Sequence, residues 1–169
     1  ELRRANTLAN RIKWMLKDTM GADGEFSRRQ QELSLIGGVP VSEEVTARHF
    51  VESVAPGGFF RDLLELGELA AIVRNNLFVH GGLVGSFAEG ETQSFGVVPG
   101  RPNRIGNPRL WVSELNCWLR EQLHEWEERP YWDTSDGSYA AGKRGGHALM
   151  DYVVPGCGPS VVMGRHLDA

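Results

Sequence analysis

The clearest chemical signal in the sequence is a histidine that directly follows an apolar run and precedes two glycines. Leu77, Phe78 and Val79 predict a short strand, and His80 comes next, followed by a Gly-Gly pair at residues 81–82. A strand that ends in this way places an imidazole at the carboxyl end of a sheet, where ligands of α/β proteins gather. The glycines leave no side chain nearby to obstruct a ligand or metal ion. The pattern is equally typical of a histidine hydrogen-bonded to a loop carbonyl, so the residues alone leave both interpretations open.

One family that uses a His-Gly-Gly string is the esterases related to hormone-sensitive lipase. There, backbone N–H groups of the glycines form an oxyanion hole, and the reaction also needs a nucleophilic serine in a Gly-x-Ser-x-Gly turn. Ser160 comes closest, with Gly158 two residues before it, but Val162 stands where the second glycine should be. An esterase would therefore need a serine from outside this sequence.

The same string resembles a sequence box of a second family, the calcineurin-like metallophosphoesterases, which include the phosphoprotein phosphatases. Residues 78–83, Phe-Val-His-Gly-Gly-Leu, resemble their strand-end box. The bacterial-like branch, the Shewanella-like protein phosphatases, is most similar. Its helical insertion resembles residues 25–68, and its tryptophan-bearing helix resembles residues 108–128. A later Arg-Gly-Gly turn resembles the run that begins at Lys143, and the resemblance covers roughly residues 45–154.

This resemblance implies a divalent metal pair (Mn, Fe or Zn), a bridging hydroxide and hydrolysis of a phosphomonoester. His80 would be one metal ligand. Arg144 would clamp the phosphate, because a guanidinium fork matches phosphate oxygens in a bidentate way. His147 could touch the substrate, which would be a phosphorylated protein or a small phosphoester. A solvated loop arginine and a surface histidine are the alternatives for Arg144 and His147.

Several boxes of the family are missing from this sequence. The Asp-x-His, Gly-Asp-x-x-Asp-Arg-Gly and Gly-Asn-His-Glu boxes do not occur; residues 106–109 share two letters with the last, and residues 164–166 match the final Gly-His box poorly. We therefore expect the chain to be the middle part of a phosphatase that is inactive by itself. The other interpretation is a non-catalytic binding or pseudo-enzyme domain that contacts a partner protein through loops 81–106 and 129–147.

The elements that would position these residues can be predicted from apolar spacing and end signals. Four helices are predicted in the first third of the chain: 6–20, 24–36, one starting at Ser42 and one after residues 56–58. They are followed by a β-hairpin over 69–79 with Asn75 and Asn76 at its tip, a long surface loop over 85–106, a helix over 107–128 and a strand over 160–164. Cys117 and three tryptophans on the long helix are predicted to lie in the core.

Together these elements predict an α/β fold. The resemblance makes it a partial metallophosphoesterase sandwich, with sheets packed between helices, in a single domain over residues 1–169. Residues 1–68 would be a helical insertion on the N-terminal side. Residues 69–169 would carry the hairpin, the His-Gly-Gly box, the long helix and the last strand.

Composition argues against several classes of partner and cellular location. The 169 residues include 18 lysines and arginines against 22 aspartates and glutamates, a net charge of −4 that argues against nucleic acid as a partner. The apolar runs are far shorter than the roughly 20 residues of a membrane span, so no membrane partner is expected. Two cysteines cannot form a disulfide framework, which favours the cytoplasm or another reducing compartment. The start has no methionine and no apolar leader, and is typical of the interior of a longer chain.

Overall fold

A computed structural model describes residues 6–83, 94–135, 137, 144–154 and 158–162. Within these ranges the chain has a mixed α/β structure, rich in helix and with one small antiparallel sheet. Its internal contacts divide it into two compact units, of which the first ends at Leu66 and the second begins at Gly67. Among the described helices, none combines the length and the apolar character needed to cross a bilayer.

The first unit consists of helices, as predicted. Thr7 and Ser42 begin two of them, because each hydroxyl accepts a hydrogen bond from a backbone N–H three residues later. A π-helical turn over Met15–Thr19 extends the first helix. The bounds are α1 Leu8–Trp14, α2 Glu25–Gly37, α3 Glu43–Ser53 and α4 Phe59–Glu65.

Only part of the apolar surface of the first unit is buried. Its core consists of Ala9, Ile12, Leu16, Phe26 and Ala47. The apolar side chains of α4 are exposed instead, with 44% to 57% of the surface of Phe59, Phe60, Leu63 and Leu64 accessible. Apolar side chains near the ends of α2 and α3 are exposed as well: Ile36, Val51 and Val54.

The second unit begins with the predicted β-hairpin. Strands β1 (Ala70–Val73) and β2 (Asn76–Val79) pair antiparallel, with Ala70 opposite Val79 and Val73 opposite Asn76. The predicted tip at Asn75 and Asn76 is wrong by one residue. The two turn residues are Arg74 and Asn75, and the left-handed backbone conformation falls on Arg74, with φ at 58°. Arg109 holds this turn by donating from Nη2 to the Arg74 carbonyl over 2.8 Å.

Helix α5 (Pro108–Glu128) is the central element of the second unit. Asn107 caps it through its side chain, and proline fills the first helical position. One face buries Trp111, Leu115 and Trp118 in the core. Cys117 was predicted to lie in that core, but this is wrong, because the position faces solvent.

Two predictions for irregular regions of the second unit need correction. Residues 84–93 of the predicted surface loop lie outside the described residues, but residues 94–106 contribute to the core: Val98 is 1% exposed, and its neighbour Val97 accepts a hydrogen bond from the Trp111 indole over 2.9 Å. In the strand predicted over 160–164, the described residues 160–162 form a turn. Helix α6 (His147–Tyr152) precedes them.

Candidate functional site

His80 lies immediately after β2, as the sequence predicts. The residue is exposed, and its imidazole makes no hydrogen bond, ion pair or ring contact with the residues that the structure describes. The alternative interpretation needs a loop carbonyl that accepts a hydrogen bond from His80, and no described residue supplies one. An exposed imidazole without a partner at a strand end is free to accept a ligand.

The turn that carries His80 is held in place by its own backbone. The N–H of Gly81 donates to the carbonyl of Val161 over 2.8 Å. Val161 in turn donates its N–H to the hydroxyl of Tyr152 over 3.0 Å, and Tyr152 packs against Trp118 with the ring centroids 5.2 Å apart. Burial raises the pKa of the Tyr152 phenol above its ordinary value. The two hydrogen bonds, from Gly81 to Val161 and from Val161 to Tyr152, connect the strand end to α6, and the ring contact with Trp118 connects it to α5.

Arg144 lies in a turn that packs tightly on α5. A Cβ on Gly145 would stand 1.7 Å from the carbonyl oxygen of Glu125, and a Cβ on Gly146 would stand 2.8 Å from that of Gln122. Gly146 also has φ at 69°, in the left-handed region that favours glycine. The Gly-Gly pair therefore brings the backbone on either side of it against the carboxyl-terminal half of the helix.

Among the described residues, three buried polar atoms around this turn have no hydrogen-bond partner: Gln122 Oε1, Arg144 Nε and His147 Nδ1. Gln122 itself is only 7% exposed. Unpartnered buried polar atoms are rare in proteins and often mark places where a ligand or water completes the set. The arginine and histidine predicted to contact substrate are two of these three residues.

His147 is less available than Arg144. Its Nε2 lies 3.6 Å from Oδ1 of Asp151, one helical turn later, and its ring packs edge-on against Trp132 at a centroid distance of 5.7 Å. The side chain is only 23% exposed. The carboxylate and the indole fix the imidazole in place, so His147 has little freedom to follow a substrate.

The structure brings Arg144 and His147 into one turn but shows no contact between either of them and His80. Across the described residues, no group of three or more His, Cys, Asp or Glu side chains is arranged to hold a metal ion. His80 can supply one ligand, and a metal pair needs several. The described residues therefore do not fit a complete two-metal centre.

Other residues that the motifs singled out have structural roles or lie outside the described ranges. Asn107, in the segment that shares two letters with a metal-ligand box, caps α5 by accepting from the N–H groups of Arg109 and Leu110. His166 lies outside the described residues. Ser160 is 4% exposed, and its hydroxyl accepts from the N–H of Val162. A buried serine in a turn is unlike the accessible nucleophile that an esterase requires.

Sequence reasoning missed Gln122 and Tyr152. Both lie on helical stretches where a polar group interrupts an apolar face, and that interruption is the signal that could have found them.

In three comparisons with known proteins, no family model, no curated protein and no solved structure matches this chain.

Proposed function

We propose that this chain is part of a metal-dependent phosphomonoester hydrolase of the phosphoprotein phosphatase type. His80 supplies one imidazole ligand, and Arg144 contacts the phosphate oxygens. The remaining metal ligands come from outside the described residues, and the finished fold is the two-sheet sandwich that the family resemblance implies. The setting is the cytoplasm or another reducing compartment.

One observation carries this proposal: His80 is exposed, has no partner among the described residues and stands at a strand end followed by two glycines. Arg144 adds support, because none of the described residues bonds its buried Nε and a guanidinium can bind an oxyanion through two parallel hydrogen bonds. His147 keeps a lesser part, that of lining the substrate side of the turn.

The test is a pair of substitutions in the full-length protein, assayed for manganese-dependent hydrolysis of p-nitrophenyl phosphate. His80→Ala should lose bound metal and turnover together, because a ligand contributes directly to metal affinity. Arg144→Ala should keep its metal and lose about 30- to 1000-fold in kcat/KM, corresponding to about 2–4 kcal/mol of transition-state stabilisation. Elemental analysis beside steady-state kinetics separates the two defects.

Two controls and one further arm make the test decisive. His124→Ala and Arg120→Ala remove exposed side chains of the same types from α5, and both should leave metal content and rate unchanged. Residues 1–169 alone should show no turnover. Full metal occupancy and normal turnover in His80→Ala would refute the assignment, and robust hydrolysis by residues 1–169 alone would refute the incomplete-centre argument.

A second candidate function, a non-catalytic binding domain, is favoured by the exposed apolar side chains of α4. Exposed apolar patches commonly mark interaction sites. The two functions differ in one measurable respect: a binding domain keeps its partner affinity when His80 is replaced, whereas the hydrolase loses its metal.

A further inference from the structure

A separate cleft lies in the second unit between the hairpin tip and the first turn of α5. Its volume is about 440 Å³, within the range of roughly 300–1,000 Å³ found for small-molecule sites. The floor is apolar and consists of Ile72, Leu77, Leu83 and Phe95, all of which are half-buried and pack against the core. The cleft therefore has an apolar floor that packs against the core on one side and is accessible on the other.

Two arginines stand at the rim of this cleft. Arg74 lies in the hairpin turn and Arg109 in the first turn of α5, and both are exposed. Arg109 uses Nη2 to bind the carbonyl of Arg74, which fixes the two residues beside each other. Neither guanidinium forms an ion pair with a carboxylate in the part of the chain that the structure describes. Among the residues that the structure describes, none of those lining the cleft is acidic.

The positive charge at the rim comes from the side chains and not from the end of the helix. The N–H groups of Arg109 and Leu110 already donate to the side chain of Asn107, and Pro108 has none. Guanidinium groups bind oxyanions through two parallel hydrogen bonds. A site with an apolar wall and a cationic rim therefore favours a ligand that has an apolar part and an anionic group. The chain has a net charge of −4, so two arginines at one rim, without carboxylate partners among the described residues, are a local concentration of positive charge.

We propose that this cleft binds a small organic anion, with its apolar body on the floor and its carboxylate or phosphate head between Arg74 and Arg109. The site is distinct from the turn that carries Arg144 and does not depend on the proposed hydrolase activity.

Methyl and amide NMR on the full chain tests the proposal, with hexanoate, hexyl phosphate, 1-hexanol and acetate as probes. At least one of the two amphipathic anions should shift the methyl resonances of Ile72, Leu77 and Leu83, with a Kd at least 10-fold lower than those of 1-hexanol and acetate. Whichever anion binds more tightly identifies the head group. Equal affinity for 1-hexanol, or no shift at these methyls with either anion, would overturn the proposal.

Three variants assign the binding to this cleft. Arg74→Gln and Arg109→Gln should each raise the Kd of the tighter anion about 5- to 20-fold, while Arg120→Gln, on a solvent-facing position of α5, should leave it unchanged. Asn75→Trp should block the cleft from the exposed turn without removing either arginine, and a matching amide spectrum elsewhere would show that the fold is intact. A loss in Arg120→Gln equal to that in Arg74→Gln would mean nonspecific attraction and would overturn the assignment.

Discussion

Gly145 leaves no room for a side chain, because its position is set by the backbone of α5. Gly145→Ala would place a methyl group 1.7 Å from the Glu125 carbonyl oxygen, and that oxygen belongs to a helix that cannot move aside locally. We expect a loss of about 1–3 kcal/mol in the free energy of unfolding, the usual cost of overpacking. Urea denaturation measures it. Gly106→Ala is the matched control, since open space surrounds Gly106, and an equal loss there would contradict the packing argument.

Tyr152 should make stability depend on alkaline pH. Its folded pKa lies above the ordinary value of 10.0 because burial disfavours the phenolate, so the folded state holds the proton more tightly than the unfolded state. The contribution of Tyr152 to the free energy of unfolding should therefore be constant below about pH 10 and should be lost as the pH rises through the higher folded pKa. Urea titrations between pH 8 and 11.5 measure this.

Tyr152→Phe should remove this slope and also cost about 1 kcal/mol at neutral pH, because the N–H of Val161 loses its acceptor. Tyr131→Phe is the control, since Tyr131 is 86% exposed and should leave the pH dependence as it is. An unchanged alkaline slope in Tyr152→Phe would mean that another group titrates.

At the scale of single residues, sequence reasoning predicted the positions of His80 and Arg144 but not what surrounds them. A strand end and a Gly-Gly turn are local patterns, so the types and spacing of neighbouring residues reveal them. The contacts that hold these two candidate residues in place are not local in this sense. Val161 meets Gly81 across 80 positions of sequence, and Gln122 approaches the Arg144 turn only because two glycines let the backbones close.

Asn116 joins the long helix to the hairpin. Its side-chain Oδ1 accepts from the N–H of Leu69 and Ala70, over 2.9 and 3.4 Å, and its Nδ2 donates to the Ala70 carbonyl over 2.8 Å. Asn116→Ala should leave these buried backbone groups unsatisfied, at a cost of about 1–3 kcal/mol each. Denaturation would measure the total, and amide exchange at residues 70–79 should rise most.

Ser113→Ala is the control for Asn116→Ala, because Ser113 lies on the exposed face of the same helix. Comparable destabilisation by the two substitutions would mean that the hydrogen bonds of Asn116 to β1 do not contribute measurably to stability.

Among the elements, the helix starts were the easiest to predict and the hairpin tip was not. Thr7, Ser42 and Asn107 each cap a helix through their own side chains, a signal contained within four residues. In the hairpin, two residues form the turn, and the positive φ falls on Arg74 although asparagine tolerates it better. The register of the strands, together with the hydrogen bond from Arg109, outweighs that local preference.

Each of the two compact units has its own core, which predicts that they respond separately to damage. Phe26 is 4% exposed and lies 5.8 Å from the ring of Phe50, so Phe26→Ala should cost the first unit about 3–5 kcal/mol. Hydrogen exchange should accelerate across α1, α2 and α3, and protection in α5 should stay the same. Leu35→Ala is the control, because Leu35 is 83% exposed. An equal loss of protection in α5 would show one cooperative structure.

At the scale of the whole chain, composition and apolar spacing predicted a mixed α/β protein, and the structure agrees. Burial depends on what covers a face: the apolar side chains of α4 are exposed, and the predicted surface loop contributes a buried valine, Val98. Spacing reports which side of an element is apolar. Only the tertiary arrangement decides whether that side is covered.

The contact between Asn116 and β1 also decides in which direction the sheet can be enlarged. Both backbone polar groups of Ala70 are bonded to one amide side chain and point away from β2, so this margin of the sheet is sealed where β1 begins. A strand added to the sheet needs a margin with free N–H and carbonyl groups. In the part of the chain that the structure describes, no backbone hydrogen bond outside the hairpin involves the opposite margin, along Asn76–Val79. Any strand recruited there would run alongside the residues that lead directly to His80, so in the proposed hydrolase the sheet would be enlarged and the metal site completed in a single event.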